Sequence, residues 1–259
     1  PTLKRLSLDS NKMETFAVSH PYLEFLSLSS NILTSFDHIT LPVLKILNLS
    51  RNKLIQLPPL DKATPNLEIL DVSFNRLTEL PFLPVTIREI YAANNRITAI
   101  SQEISFLNRV TLIDISDNDI ENIPLLPTRI QSLIAHNNRI KRVVQAGTPD
   151  LYSLSMAHNC LADIPHFSVA ELPYLSFRYN HLSTISVQFL CERIQKLDLS
   201  HNRLTHIPVE LFYFADLVTL DLSNNFIEEM PLSLSMAPLI ELNISNNPLR
   251  KFPKSLPPN

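Results

Sequence analysis

The residues able to carry out chemistry are few. His136 and His158, with Asp114 and Asp117 upstream of them, are residue types that bind metals. No helical His-x-x-x-His or paired-cysteine spacing joins them, so ordinary contact or solvated histidines are expected and no metal. Histidine as a residue type changes charge near pH 6.5, so a contact through these two could be pH-dependent. Cys160 and Cys191 lack the His and Asn partners that mark a thiol nucleophile. They lie too far apart in the pattern described below to pair, and are expected to be free structural thiols. Asn48-Leu49-Ser50 and Asn243-Ile244-Ser245 match a glycosylation acceptor, but both arise as by-products of a strand consensus.

Composition closes further routes to catalysis. The chain has 259 residues, 20 prolines, no tryptophan and a single glycine, Gly147. Average usage would supply roughly 18 glycines. Dinucleotide fingerprints, phosphate loops and nucleophile elbows all need glycine at more than one position. No cofactor is expected, and no enzymatic activity. The charge is balanced, with 22 basic and 25 acidic residues, which is no footprint for nucleic acid. No apolar run approaches the ~18 residues of a membrane span. The chain opens at Pro1 without a signal peptide. Because Leu3, Leu6 and Leu8 would form an uncapped apolar edge, residues are expected to be missing before it.

The elements that position these side chains come from an internal repeat. The frame L-x-x-L-x-L-x-x-N-x-L recurs twelve times. Its asparagines are Asn11, Asn31, Asn52, Asn75, Asn95, Asn118, Asn138, Asn159, Asn180, Asn202, Asn225 and Asn247, spaced 20 to 23 residues apart. The first, fourth, sixth and eleventh frame positions, and one five residues after the Asn, are apolar in every copy. Positions three to seven alternate outward and inward, which is strand periodicity. Each repeat should supply one short strand, and strands of successive repeats should pair in parallel about 4.8 Å apart. One repeat cannot bury its own apolar face, so the core must come from stacking. The fold class is therefore an α/β solenoid of twelve repeats, one domain over 1–259. Short parallel strands should line its concave face, and extended or short helical returns its convex face.

The frame asparagines should turn inward and pair with backbone groups left over at the turn. The 22 asparagines should also supply the left-handed turn residues that glycine usually provides. Proline-bearing returns at Leu57–Leu60, Leu80–Pro84 and Ile123–Pro127 should be extended. Ser186–Arg193 is long enough for a short helix. Phe252 to Pro258 should close the last frame.

Frame positions three, five, seven and eight are free of packing duty. The default strand reads L-D-L-S or L-N-L-S, as at Asp198/Ser200, Asp221/Ser223 and Asn243/Ser245, and is taken as solvated background. Departures cluster in the middle. Repeat five has Glu89, Tyr91 and Asn94; repeat seven has Ile134, His136 and Asn137. Repeat eight has Tyr152 and His158; repeat nine has Tyr174, Arg178 and Tyr179. Phe74 leads in, His201 follows, and Asp114 and Asp117 lie between. Tyr and Arg are enriched at protein-binding hot spots, so a protein partner is expected on repeats five to nine of the concave face. The solenoid by itself should be a monomer.

The frame resembles that of leucine-rich-repeat proteins over essentially the whole chain. The returns at Leu80-Pro81-Phe82-Leu83-Pro84-Val85-Thr86-Ile87 and Ile123-Pro124-Leu125-Leu126-Pro127-Thr128-Arg129-Ile130 are similar to the L-P-x-L-P-x-x-L returns of effectors that Gram-negative pathogens inject into host cells, the Yersinia outer-protein M type. The mixed spacing and Leu/Ile/Asn/Ser/His-rich composition look closer to the leucine-rich effectors of Legionella. The resemblance implies a secreted, non-catalytic virulence protein in the host cytosol, inhibiting or scaffolding a host protein or another effector enzyme. Two other classes stay open: the recognition arm of a larger enzyme such as a bacterial ubiquitin ligase, and an extracellular receptor ectodomain.

Overall fold

The frame's alternation and its 20–23-residue period become a single parallel sheet. A computed structural model describes residues 2–144, 147–167, 172–186, 193–254 and 256. In chain order its strands are β1 (Arg5–Ser7), β2 (Phe25–Ser27), β3 (Ile46–Asn48), β4 (Ile69–Asp71), β5 (Glu89–Tyr91), β6 (Leu112–Asp114) and β7 (Asn122–Ile123). There follow β8 (Ser132–Ile134), β9 (Arg142–Val143), β10 (Ser153–Ser155), β11 (Tyr174–Ser176), β12 (Lys196–Asp198), β13 (Thr219–Asp221) and β14 (Glu241–Asn243). Twelve of them form one sheet in sequence order, while β7 and β9 pair separately on the return side. The register is one-to-one: Leu70, Ile90, Ile113 and Leu133 stand side by side on β4, β5, β6 and β8. A one-residue slip would turn every strand's leucine to water, so the register is strongly specified.

The core is the frame itself. In repeats two to eleven every frame leucine-type position is buried or packs against the buried set. Each such side chain contributes about 1.5–3 kcal/mol by leaving water. That gain exists only because a neighbour stacks above and below.

Beyond the three-residue strands the chain must turn inward, and the frame asparagine makes this possible. Asn118 Nδ2 donates to the carbonyls of Ile115 and Ser116 in its own turn, at 3.1 and 3.0 Å, and to Ala92 of the preceding repeat at 3.0 Å. Its Oδ1 accepts the Ile97 N–H at 2.9 Å. The same set recurs from Asn31 to Asn247. Asn11 bonds only its own turn.

The left-handed residue of each turn is not the frame asparagine, as expected from the sequence, but the residue before it. Its φ lies between 53° and 57° in all twelve repeats. Only Asn94, Asn137, Asn224 and Asn246 are asparagine; Arg51, Phe74, His158, Tyr179 and His201 carry bulky side chains into that region. The geometry is held because the N–H of this residue still bonds the next repeat, as Phe74 N does to Ala93 O at 2.8 Å. The neighbour's ladder bond offsets the steric cost of the turn.

The returns vary. Leu80–Pro84 forms neither helix nor strand, and its two prolines favour an extended path. At Leu57–Leu60 the chain is extended only to Pro59 and then makes a short helix, Leu60–Ala63. Ile123–Pro127 starts on the last residue of β7, where Ile123 pairs with Val143 on β9, and forms no helix thereafter. Single 3₁₀ turns occupy Gln102–Phe106, Val209–Tyr213 and Leu232–Met236. The helix expected within Ser186–Arg193 falls on 187–192, outside the described residues, as does part of the closing segment after Phe252. No helix among the described residues is long and apolar enough to cross a membrane.

Two outcomes test this account. Asn118→Ala strips partners from buried backbone groups, each worth about 1–3 kcal/mol, and should lower stability by about 2–4 kcal/mol in urea unfolding; a loss below about 0.5 kcal/mol would contradict the ladder's role. Ser30→Gly relieves a left-handed residue that costs about 1–2 kcal/mol and should raise the thermal midpoint by a few degrees.

Candidate functional site

In a stack of near-identical repeats each side chain has the same frame position of the next repeat as its neighbour. Several charged surface residues are used in this way. At position two, Lys4 pairs with Glu24 at 2.7 Å and Glu68 with Arg88 at 3.4 Å. At positions ten and twelve, Asp119 pairs with Arg139 at 2.7 Å, Glu121 with Lys141 at 3.0 Å and Glu228 with Arg250 at 3.6 Å. These exposed pairs add little energy each. The sequence reading passed over them, although opposite charges one period apart are visible in the chain.

The L-D-L-S strand is likewise structural rather than background. Asp71, Asp114, Asp198 and Asp221 each accept, through Oδ1, the N–H of the serine two residues on, at 2.8–3.0 Å. Asn48 and Asn243 do the same for Ser50 and Ser245. Asp114, placed in the site from sequence, therefore spends one oxygen on its own turn.

Position eight forms a continuous column along the rim. Arg51 lies over the Phe74 ring at 4.2 Å. Asn137 Nδ2 donates to Asp117 Oδ1 at 2.9 Å, and Asn246 to Asn224 at 3.1 Å. Between them His158, Tyr179 and His201 stack face to face, with centroids 4.2 and 4.0 Å apart. The strand spacing sets that distance, so rings in consecutive repeats at this position must stack. Arg178 sits 4.9 Å from the Tyr179 centroid. Phe74 is thus tied to Arg51, toward the N-terminal repeats, and does not join the central rings.

The remaining residues expected at the site divide into two groups. Around β5, Tyr91 donates its hydroxyl to Glu89 Oε2 at 2.8 Å. Its phenol is pushed up to about 12, first by partial burial, then by Glu89, with Asp71 and Asp114 on the adjoining strands adding. Ile134 stands half-buried beside Asp114 on β8. His136 faces Asp117 at 3.8 Å and the Ser155 hydroxyl at 3.3 Å. The second group centres on β11, four strand steps away, or about 19 Å. Here Tyr174 lies beside Lys196 on β12, and Tyr152 stands at the entry to β10. Tyr152 is 61% exposed and Tyr174 56%. Unlike the rim rings, neither stacks on another ring among the described residues. Arg178 and Tyr179 lie just beyond the same strand and are also exposed.

His158 has its pKa lowered, first by desolvation, then by the cationic Arg178, His136 and His201 nearby. Among the described residues no group of three or more His, Cys, Asp or Glu is placed to hold a metal ion. Cys160 is a free thiol, half-buried, and Cys191 lies outside the described residues. Among the described residues the geometry offers a curved surface with two exposed tyrosines, Tyr152 and Tyr174, and an exposed arginine, Arg178.

Family models agree with this fold. One described as leucine rich repeat matches residues 192–249, and one described as leucine rich repeats (2 copies) matches residues 42–85. YopM from Yersinia enterocolitica WA-314 aligns with a TM-score of 0.71 at 24% identity, over 96% of this chain and 62% of that one. YopM of Yersinia pestis, described as a leucine-rich effector protein, aligns with a TM-score of 0.63 at 25% identity, over 95% of this chain and 78% of that one. The functional domain of InlJ from Listeria monocytogenes aligns with a TM-score of 0.77 at 24% identity, over 96% and 59%. The chain thus spans about three-fifths of the Yersinia enterocolitica and Listeria proteins it matches. The fold is the leucine-rich-repeat solenoid.

A depressed imidazole pKa means that the folded state holds fewer protons than the unfolded chain. The stability linked to His158 is thus present above the ordinary histidine value, ~6.5, and declines as pH falls through it. In an NMR titration His158 should titrate below 6.5, and Arg178→Ala should move it upward. A midpoint unchanged by Arg178→Ala would remove the arginine from the account.

Proposed function

We propose that this chain is a non-catalytic protein-binding module whose partner docks on the concave face of repeats five to nine. Tyr152 and Tyr174 are the observation that carries the reading. Stacking on the next repeat consumes the rim rings, yet Tyr174 on β11 and Tyr152 at the entry to β10 remain largely exposed, with no ring partner among the described residues. A rigid tyrosine loses little entropy on contact and presents both apolar area and a hydroxyl. Arg178, held over Tyr179, adds a preorganised cation to the same edge. Tyr91 with Glu89, Asp71 and Asp114 gives the partner a second, acidic contact about 19 Å away. A curved sheet of twelve registered strands needs no ordering on docking, which saves part of the usual cost of association.

The L-P-x-L-P returns and the likeness to YopM support a bacterial effector delivered to the host cytosol. It would act by occupying a host protein, or another effector enzyme, so as to block or scaffold it.

Immobilised protein and its Tyr174→Ala/Arg178→Ala variant should be compared for capture from host lysate and from the producing cell's own proteins. A protein retained by the first should bind the variant at least ten times more weakly in a calorimetric titration, with the thermal midpoint unchanged within about 2 °C. Equal affinity for both would sink the placement of the site.

A further inference from the structure

The convex side carries a second feature that the concave reading does not use. Successive frame asparagines are spaced 23, 20 and 23 residues apart from Asn52 to Asn118. The long returns on either side hold the Leu60–Ala63 helix and the Gln102–Phe106 turn, whereas the short return between them, 80–84, forms neither helix nor strand. A thin segment between two thicker ones leaves a groove of about 580 Å³ along it. That is large enough for several side chains of a bound segment. The helix is bonded to the groove's own strap, since Leu60 N and Asp61 N both donate to Phe82 O, at 2.9 and 3.2 Å.

The floor is apolar: Leu57, Leu80, Leu83 and Ile100 line it and pack onto the core below. Its charged lining is of one sign. Asp61, Glu79 and Glu103 border it, and no Lys, Arg or His does. None of the three carboxylates is in an ion pair among the described residues. Four glutamates elsewhere in the solenoid, Glu24, Glu68, Glu121 and Glu228, each meet a cation one repeat away, whereas Glu14, Glu89, Glu210, Glu229 and Glu241, like the groove carboxylates, form no ion pair among the described residues. Asp61 Oδ1 is shielded from solvent yet accepts no hydrogen bond, an unused acceptor at the edge of an apolar floor. Phe82 is exposed beside it.

We infer that this groove is a docking site for a polypeptide segment in which Leu- or Phe-type side chains alternate with Lys or Arg. The apolar side chains would fill the floor between 80–84 and the 3₁₀ turn. The cations would meet Asp61, Glu79 and Glu103, and a donor reaching Asp61 Oδ1 would supply its missing hydrogen bond. An anionic segment would place like charges together, and an uncharged apolar one would leave three carboxylates partly desolvated, so the charge sets selectivity as well as affinity. The site is independent of the concave face, which lies on the opposite side of the sheet.

The test uses a fluorescein-labelled peptide alternating Leu and Phe with Lys and Arg, and its counterpart with Glu for every Lys and Arg, followed by anisotropy. The cationic peptide should bind saturably at one site, weaken as salt rises from about 50 to about 500 mM, and exceed the Glu peptide at least tenfold. Asp61→Asn/Glu79→Gln/Glu103→Gln should weaken it at least tenfold. Glu14→Gln/Asp163→Asn/Glu210→Gln, with the same change in net charge placed elsewhere, should not. If the groove triple fails to fold, judged by its thermal midpoint, the exposed single change Glu103→Lys should still weaken binding severalfold. Tyr174→Ala/Arg178→Ala should bind the peptide as the parent does, which separates this site from the concave one. Equal loss in both triples, equal binding of the two peptides, or no saturable binding would each overturn the inference.

Discussion

Everything in this molecule depends on the frame asparagine. A parallel strand only three residues long must give up its ladder and turn inward, and at that point it leaves buried carbonyls and N–H groups without strand partners. An amide side chain has donors and an acceptor on one short stem, and it ties its own turn to the preceding repeat. A carboxylate would lack the donors and a serine the reach. Because each asparagine spans two repeats, the ladder is also the vertical tie of the solenoid. It lets the turn tolerate a left-handed Phe74 or Tyr179, where an unsupported chain would use glycine.

Stacking has a second consequence. With successive strands about 4.8 Å apart, equivalent side chains in consecutive repeats are obligatory neighbours. Charges therefore alternate along the Lys4–Glu24 and Glu68–Arg88 column, and rings pile up in the His158–Tyr179–His201 column. A conspicuous residue in a repeat protein is thus first a candidate for satisfying its own neighbour. Function is better sought in what the columns leave over. On the concave face that remainder is Tyr152, Tyr174 and Arg178 with the acidic neighbourhood of Tyr91; on the convex face it is the carboxylate-lined floor beside 80–84. The two differ in origin. The concave face is a regular sheet whose identity lies in its side chains, whereas the groove comes from unequal return lengths.

Much of this was legible from the chain alone. Twelve copies of one frame with apolar residues at fixed offsets admit a single way of burying them, so the twelve strands of the main sheet, their parallel order, their register and the inward asparagines follow from local spacing, while the β7–β9 pair on the return side does not. The same period implied the core of repeats two to eleven, residue by residue. The lack of helix and strand at Leu80–Pro84 was equally readable, because proline both removes a donor and restricts φ.

What required the tertiary structure was everything set by contact between repeats rather than within one. The frame asparagines are ladder residues rather than left-handed ones; the left-handed residue precedes each of them and is itself asparagine only at Asn94, Asn137, Asn224 and Asn246, because the turn needs that geometry while its N–H stays bonded to the next strand. Asp114 and the L-D-L-S aspartates read as free side chains, yet they cap their own serines. Phe74 belongs with Arg51 and not with the central rings, and Tyr91 lies four strands from Arg178. The sequence by itself determined the fold, since burial of a periodic apolar face depends only on the period. Only the tertiary structure decided which surface side chains remain unpartnered, since that depends on distances across neighbouring repeats which spacing along the chain does not encode.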